Sequence, residues 1–537
     1  MKKLLLLGDE AIAQGALDGG LSGVYAYPGT PSTEATEYIR SNAEAIERNV
    51  HRQWAANEKT ALEGALGMSY AGKRTLVCMK HVGLNVAADP YINAAVTGVN
   101  GGMLVLVADD PSMHSSQNEQ DSRFYADFAN LPVLEPSDQQ EAYDMAYEGL
   151  ALSEKFKVPV MIRVTTRLAH SRAGVERKPV KPENDMHLPD NLRQFILLPA
   201  FARKKYAELL DAQKDFTATA ANSTYNKLVR GGDKTVGIIA CGIAYNYLME
   251  NFPDGCPHTV FKLCHYPPPV DVINTMVEEH DELLILEEGY PLIERMVKGI
   301  TNVGPKIKGR LDGTIPRAGE LNPDIVARAL GSESNKIHDI PDLVVNRPPG
   351  MCAGCSHIDT FEALIEALKP YGDGHVFSDI GCYTLGALPP FNIINSCVDM
   401  GASVTMAKGA ADAGLFPSVA VIGDSTFTHS GMTGLIDAVN ANSPVTIIIS
   451  DNETTAMTGG QDSAGTGKLE DICQGIGVDP EHIHVVEPLK KNHDKLVGII
   501  AEEMKYRGVS VIIARRECIQ TLKRRKNQKV PQRNCHV

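Results

Sequence analysis

The sequence predicts an α/β protein of three doubly wound parallel-sheet domains, and three observations predict it. Short β-prone runs alternate with stretches of helical periodicity, as in doubly wound sheets. The alternation is interrupted twice and each time resumes. The 537 residues, 43% hydrophobic and 22% charged, have ordinary globular composition, and at about 100 to 200 residues per domain they fill about three domains.

The first alternating region places strands at Leu4 to Leu7, Gly23 to Ala26, Thr75 to Met79, Met103 to Val107 and Val160 to Val164, with helices at Asn57 to Ala71 and Asp138 to Ser153. These form a domain over 1–190. A polar stretch from Ser171 to about Asp233, carrying Lys178-Pro179-Val180-Lys181-Pro182, reads as a connector centred on 191–233, with some helix around Ala200 to Ala212. Strands at Thr235 to Cys241, His258 to Leu263 and Glu282 to Leu286 then build a second domain over 234–335. The Gly/Pro-rich passage Gly304 to Pro349 closes it. The third domain, 345–520, has helices at Ser356 to Leu368, Ala402 to Ala413 and Gly431 to Asn440, and strands at His375 to Phe377, Ser418 to Ile422, Val445 to Ile449 and Ser510 to Ala514. The tail 521–537, basic from Lys523 to Lys529, reads as a solvated charge run.

The net charge of −14 repels phosphate backbones and anionic bilayers, which argues against nucleic acid or membrane as the main partner. The apolar run after Met1-Lys2-Lys3 is too short for a signal peptide, and no run reaches the ~18 residues of a membrane span. A soluble cytoplasmic protein is expected.

Eleven cysteines in such a chain are expected as reduced thiols. Cys78, Cys241, Cys256, Cys264, Cys397 and Cys473 are scattered and read as packing. Cys352-x-x-Cys355 suits zinc as well as an iron–sulfur cluster, and no second zinc-type pair follows.

Two turns carry the oxygen chemistry. The strand Val419 to Ile422 runs into Gly423-Asp424-Ser425, and Val445 to Ser450 runs into Asp451-Asn452-Glu453-Thr454. Both lie at carboxyl ends of strands, where open parallel sheets bind ligands. Asp424, Asn452 and a carbonyl around Thr454 offer the few hard oxygens that Mg²⁺ bridging a diphosphate requires. Gly423 allows close approach of the diphosphate, and Ser425 adds a hydroxyl donor. Gly381 and Gly401 are further candidate cofactor-binding positions. Gly-Asp-Ser followed, after 26 residues, by Asn452 resembles the Gly-Asp-Gly…Asn motif of thiamine diphosphate enzymes, with Ser425 a small departure.

Further strings resemble the 2-oxoacid:ferredoxin oxidoreductases, and within that family the large (alpha) subunits acting on indolepyruvate. They are Tyr27-Pro28-Gly29-Thr30-Pro31-Ser32-Thr33, Ala56-Asn57-Glu58-Lys59, Met79-Lys80-His81-Val82-Gly83-Leu84-Asn85, the run from His114 to Asp121, Cys352-Ala353-Gly354-Cys355 and Asp379-Ile380-Gly381-Cys382-Tyr383. The resemblance covers nearly the whole chain. It implies that two of the three domains are thiamine-diphosphate-binding folds, the first taking the pyrimidine and the last the diphosphate, around a transketolase-C-like middle domain.

Thiamine chemistry needs a carboxylate on the aminopyrimidine ring nitrogen, and the resemblance points to Glu58. From the residues alone Glu58 reads as an exposed first-turn glutamate favoured by the helix dipole. Thr30 resembles the family's substrate-contacting threonine. Arg123 is a candidate partner for a 2-oxoacid carboxylate, an ordinary surface arginine being the alternative. The resemblance also implies a [4Fe-4S] cluster held by Cys352, Cys355, Cys382 and Cys518, four thiolates being the right count.

The implied reaction is oxidative decarboxylation of a 2-oxoacid, an arylpyruvate such as indolepyruvate, to an acyl-CoA. Coenzyme A takes the acyl group, ferredoxin takes the electrons, and a small beta subunit completes a heteromer with two copies of each chain. The rival is a non-oxidative thiamine-diphosphate-dependent 2-oxoacid decarboxylase with Cys352 and Cys355 structural; a regulatory scaffold ranks lower. Related subunits continue into a ferredoxin-like domain where this sequence stops at Val537. Truncation or direct onward transfer of electrons through a partner would account for the difference.

Overall fold

The computed structural model describes residues 3–299, 306–332, 341, 343–344 and 350–528. The chain divides into two compact units, Met1–Asp339 and Ile340–Val537.

The first unit contains a seven-stranded sheet in the order His265–Tyr266, Val133–Leu134, Val160–Thr165, Met103–Asp109, Thr75–Lys80, Gly23–Ala26 and His51–Trp54. Only the His265–Tyr266 pairing is antiparallel. Alternate side chains of the central strands feed two cores, as the two-residue period of a strand dictates. Leu76, Cys78, Leu104 and Leu106 pack with Ile12, Leu17, Ala146 and Leu150 on one face. Val77, Met79, Val105 and Val107 pack with Ala61, Leu62 and Tyr91 on the other. A second sheet of the unit runs Lys306–Lys308, Glu282–Leu286, Asp233–Cys241, His258–Leu263 and Lys227–Val229, the last antiparallel.

Two expectations change in this unit. Lys3–Leu7 is a strand, but it pairs antiparallel with Arg172–Glu176 in a two-stranded sheet of its own. Leu5 is 66% exposed, so this apolar run is covered on one side only. The connector is more than a linker, because it forms a helix over Pro199–Ala221, 23 residues long. Leu209, Phe216 and Ala220 are buried, and the Phe216 ring meets Phe156 at 4.6 Å between centroids. Charged neighbours on its other face hide that apolar stripe from a composition reading.

The second unit holds a wholly parallel six-stranded sheet ordered Ser396–Cys397, Val376–Ser378, Ser418–Gly423, Val445–Asp451, Ser510–Arg515 and Ile483–Val486. Ser418–Gly423 and Val445–Asp451 are buried along their whole length. Of the basic tail, Ile519–Gln528 is helical; residues 529–537 lie outside the described residues, as does part of the Gly/Pro-rich passage. Among the described residues, no helix is long and apolar enough to cross a membrane.

Among the ten described cysteines, all free thiols, Cys78, Cys241, Cys264 and Cys473 are buried. Cys256 is half-buried and Cys397 exposed, so packing does not describe Cys397; it is the second residue of the short edge strand Ser396–Cys397.

Candidate functional site

In the first unit, Glu58 opens the helix Glu58–Tyr70, and the Asn57 side chain caps it by accepting from the Thr60 amide at 2.8 Å. The reading of Glu58 as an exposed glutamate fails, since the residue is 4% exposed. Gly83 makes the space: a Cβ there would lie 2.5 Å from Glu58 Oε1.

Lys80, at the carboxyl end of Thr75–Lys80, stands close by. Burial drives its ammonium down to about 8, against the opposing pull of Asp110 and Glu58. Its Nζ donates to the Ser115 carbonyl at 3.3 Å, and Ser115 Oγ donates to the Thr30 carbonyl at 3.1 Å. Asp110 fixes this segment by accepting from the Ser115 amide at 2.8 Å and from Ser116 Oγ at 2.7 Å. Lys80, Ser115 and Thr30 are thus linked in one chain of bonds, with Glu58 beside Lys80.

Arg123 is neither a surface residue nor an open carboxylate receptor. Its guanidinium, 0% exposed, binds Asp121 at 2.6 Å and Glu287 at 3.0 Å. A neighbouring buried arginine, Arg163, holds Asp109 at 2.8 Å and Glu135 at 2.6 Å. Each cation is saturated by carboxylates from different parts of the unit, so Arg123 is corrected to a packing role.

In the second unit, Gly423 stands opposite Ser450 in the parallel register. Asp424 and Asn452 therefore leave adjacent strands just beyond that pair. Asp424 is 2% exposed and its Oδ2 has no hydrogen-bond partner among the described residues. Burial raises its carboxyl to about 7, with Asp451 adding to the rise. A buried carboxylate with an orphaned oxygen suits a cation. Asn452 Oδ1 accepts from the Thr454 amide at 3.2 Å and Ser425 Oγ meets Thr455 Oγ1 at 2.9 Å, which fixes the turn; Glu453 takes the left-handed φ of +59° at its apex.

The glycines at these strand ends are required by close packing of the protein on itself. A Cβ would come within 2.2 Å of the Tyr383 ring at Gly381 and within 2.6 Å at Gly423. Gly401, with φ of +93°, caps the helix Ala402–Asp412, and a Cβ there would lie 2.5 Å from that of Ser430. Gly401 thus lets the helix N-terminus approach Ser430 closely.

Cys355 caps the helix Ser356–Leu368, and its amide closes a turn on the Cys352 carbonyl at 3.0 Å. Gly354 in this turn needs its φ of +80°. Burial lifts the Cys382 thiol to about 12, reinforced by Cys355, Cys518 and Cys352. The four sequence-selected cysteines are therefore near enough to act on one another. Among the described residues, no three of their sulfurs fall mutually within 4.8 Å, whereas zinc with Zn–S bonds of about 2.3 Å draws sulfurs to about 3.8 Å. Cys518 is tied to the oxygen site, since its amide donates to the Asn452 carbonyl at 3.0 Å.

Sequence reasoning assigned no role to Lys80, Asp379, His357 or Arg516. Asp379 accepts from the Ser403 amide at 3.2 Å and hydroxyl at 2.5 Å and from the Tyr383 hydroxyl, and burial raises it to about 6. Its place just past Val376–Ser378 is the same strand-end signal that marked Asp424. His357, pushed down to about 4 by burial, faces Asn452 Nδ2 at 3.5 Å. Arg516 donates to Asp359 at 2.8 Å and to the Gly354 carbonyl at 3.3 Å; nothing in its sequence neighbourhood marks it.

Residues 14–220 match the family described as pyruvate flavodoxin/ferredoxin oxidoreductase, thiamine diphosphate-binding, and residues 379–524 match the thiamine pyrophosphate enzyme C-terminal TPP-binding domain. The indolepyruvate oxidoreductase subunit IorA of Archaeoglobus fulgidus is 38% identical over 96% of this chain and 86% of its own length. The protein of the same name from Methanothermobacter thermautotrophicus is 37% identical over 96% of this chain and 87% of its own length. Among solved structures, a 2-oxoglutarate:ferredoxin oxidoreductase from Magnetococcus marinus has a TM-score of 0.49 at 18% identity, covering 61% of this chain and 65% of that one.

Proposed function

The chain belongs to the family of the indolepyruvate oxidoreductase IorA subunits, and from that premise we propose that it oxidatively decarboxylates an arylpyruvate such as indolepyruvate. The acyl group passes to coenzyme A and the electrons to ferredoxin. Bound thiamine diphosphate supplies the electron sink that lets a 2-oxoacid lose carbon dioxide.

The chain's own residues supply the rest. Glu58 accepts a hydrogen bond at the aminopyrimidine ring nitrogen, its burial keeping water from competing for that proton. Asp424, Asn452 and the Thr454 carbonyl hold Mg²⁺, while Gly381, Gly401, Gly423 and Ser425 admit the diphosphate. Lys80, a half-buried lysine linked through Ser115 to Thr30, takes the substrate carboxylate in place of Arg123. Cys352, Cys355, Cys382 and Cys518 hold a [4Fe-4S] cluster. A small beta subunit completes a heteromer with two copies of each chain.

The observation that carries the reading is the bond from the Cys518 amide to the Asn452 carbonyl. It brings the backbone of a candidate cluster ligand against that of a candidate magnesium ligand within one unit, which supports a reading with electron transfer over a short range.

The test is the visible spectrum and iron and sulfide content of the anaerobically purified chain, with and without Cys382→Ala. Brown absorbance with about four irons per chain, lost in the variant, supports the reading. A colourless protein that still binds thiamine diphosphate and Mg²⁺ overturns it in favour of the non-oxidative rival.

A further inference from the structure

Asp9 is the second residue of the helix Gly8–Asp18 and is 0% exposed, yet neither of its carboxylate oxygens has a hydrogen-bond partner. Leaving a buried carboxylate bare is unfavourable, because it gives up its hydration with no bond in exchange. Two other side chains converge on it. Glu34, second in Thr33–Ser41, and His170, last in Thr166–His170, each bring a ligand atom within 4.8 Å of it and of one another. Glu34 Oε2 stands 3.3 Å from His170 Nε2, close enough that the two attract, the carboxyl being lowered and the imidazole raised. Asp9 alone of the three is left without a partner among the described residues.

We propose that Asp9, Glu34 and His170 form a divalent-cation site, fitted by its donors to zinc.

Four observations support it. Tetrahedral bonds of about 2.0–2.1 Å place ligand atoms about 3.3 Å apart, the spacing found between Glu34 and His170. Two carboxylates and an imidazole that gives up its proton would balance a 2+ ion; in its absence Glu34 holds the imidazole upward while burial, Glu34 and Glu10 together drive the Asp9 carboxyl far up. The nearby cation Arg172 turns to Glu10 at 3.6 Å, leaving Asp9 uncompensated. The imidazole also donates to the Pro31 carbonyl, the outer bond that typically orients a metal-bound histidine.

The backbone is shaped for the approach. A Cβ at Gly8 would lie 2.2 Å from the Leu168 carbonyl oxygen, so only glycine lets the helix carrying Asp9 come this close to the segment that ends in His170. The side chains of Glu34 and His170 are 34% and 33% exposed, which leaves an entry route and a fourth position for water. The ion would pin the Thr30-Pro31 turn to the core, a role that does not depend on the thiamine reading.

The experiment compares the full-length wild type with Asp9→Asn and His170→Gln, each equilibrated with zinc sulfate and desalted. Metal analysis and zinc X-ray absorption follow. Zinc bound by the cysteines is common to all three and cancels in the comparison. The expected result is about one zinc more per chain in the wild type than in either variant, with an oxygen/nitrogen shell, and a zinc-induced rise of several degrees in wild-type Tm only. His170 is partly exposed, so His170→Gln keeps the test open if Asp9→Asn does not fold. Equal zinc in the wild type and His170→Gln overturns the proposal and leaves Asp9 as a buried neutral acid.

Discussion

The amide of Cys518 donates to the carbonyl of Asn452 across 3.0 Å, joining a cysteine selected as a cluster ligand to an asparagine selected as a magnesium ligand. The bond is backbone to backbone, so it survives substitution of either side chain. Cys518→Ser should therefore separate the two functions. Thiamine diphosphate affinity stays within a few-fold of wild type by calorimetry, while iron content falls and the reduced-cluster electron paramagnetic resonance signal is lost or altered. Loss of cofactor and iron together would mean that Cys518 holds the loop rather than the cluster.

Asp424 gives a pH dependence. Its carboxyl is raised to about 7 by burial, and Mg²⁺ binds only the ionised form. Apparent Mg²⁺ affinity should fall about tenfold per pH unit below about 7 and level off above it. The folded value exceeds the ordinary 3.8, so the cofactor-free fold binds the proton better than the unfolded chain and loses stability as pH rises from about 4 through about 7. Asp424→Asn should bind Mg²⁺ weakly at every pH and lack that component of the stability profile. Titrations from pH 5.5 to 8.5 check both.

Glu58→Gln preserves shape and burial but removes the negative charge that stabilises the protonated ring nitrogen. Turnover should fall by about 10²–10⁴, with thiamine diphosphate still bound. Pre-steady-state decarboxylation, measured as carbon dioxide release, checks this without the cluster. Unchanged release would remove Glu58 from the chemistry.

Gly83→Ala tests the same carboxylate from outside. The added Cβ would sit 2.5 Å from Glu58 Oε1, and a displacement of about 1 Å costs on the order of 10²-fold in rate. Steady-state assays should show a lower kcat, and Gly83→Ala combined with Glu58→Gln should be no slower than Glu58→Gln alone.

Arg123→Met should act on stability. Removing one partner of a buried ion pair costs about 3–5 kcal/mol, read by urea unfolding. If Arg123 instead bound substrate, KM would rise at unchanged stability.

Much of the architecture was legible because strand and helix periods are local properties. Gly23–Ala26, His258–Leu263, Glu282–Leu286 and Ser356–Leu368 coincide with the ranges read from sequence. Lys3–Leu7 misled because an apolar run records burial without saying which strand covers it. Pro199–Ala221 was shortened because its buried face is sparse. In the candidate site, Asp424 and Asn452 were readable because a parallel sheet delivers strand ends to one side, and the register Gly423 to Ser450 realises that rule.

The sequence by itself determined the α/β class, most strand and helix cores, and the residue types of the oxygen and thiol sites. Only the tertiary structure decided which charges neutralise which. Arg123 looked available until Asp121 and Glu287 were seen to saturate it, and Glu58 looked solvated until Gly83 was seen to admit it to the interior. Asp9, Glu34 and His170 are far apart along the chain and meet only when three helix ends converge. Electrostatic partnership depends on distance and dielectric in space, neither of which linear spacing encodes.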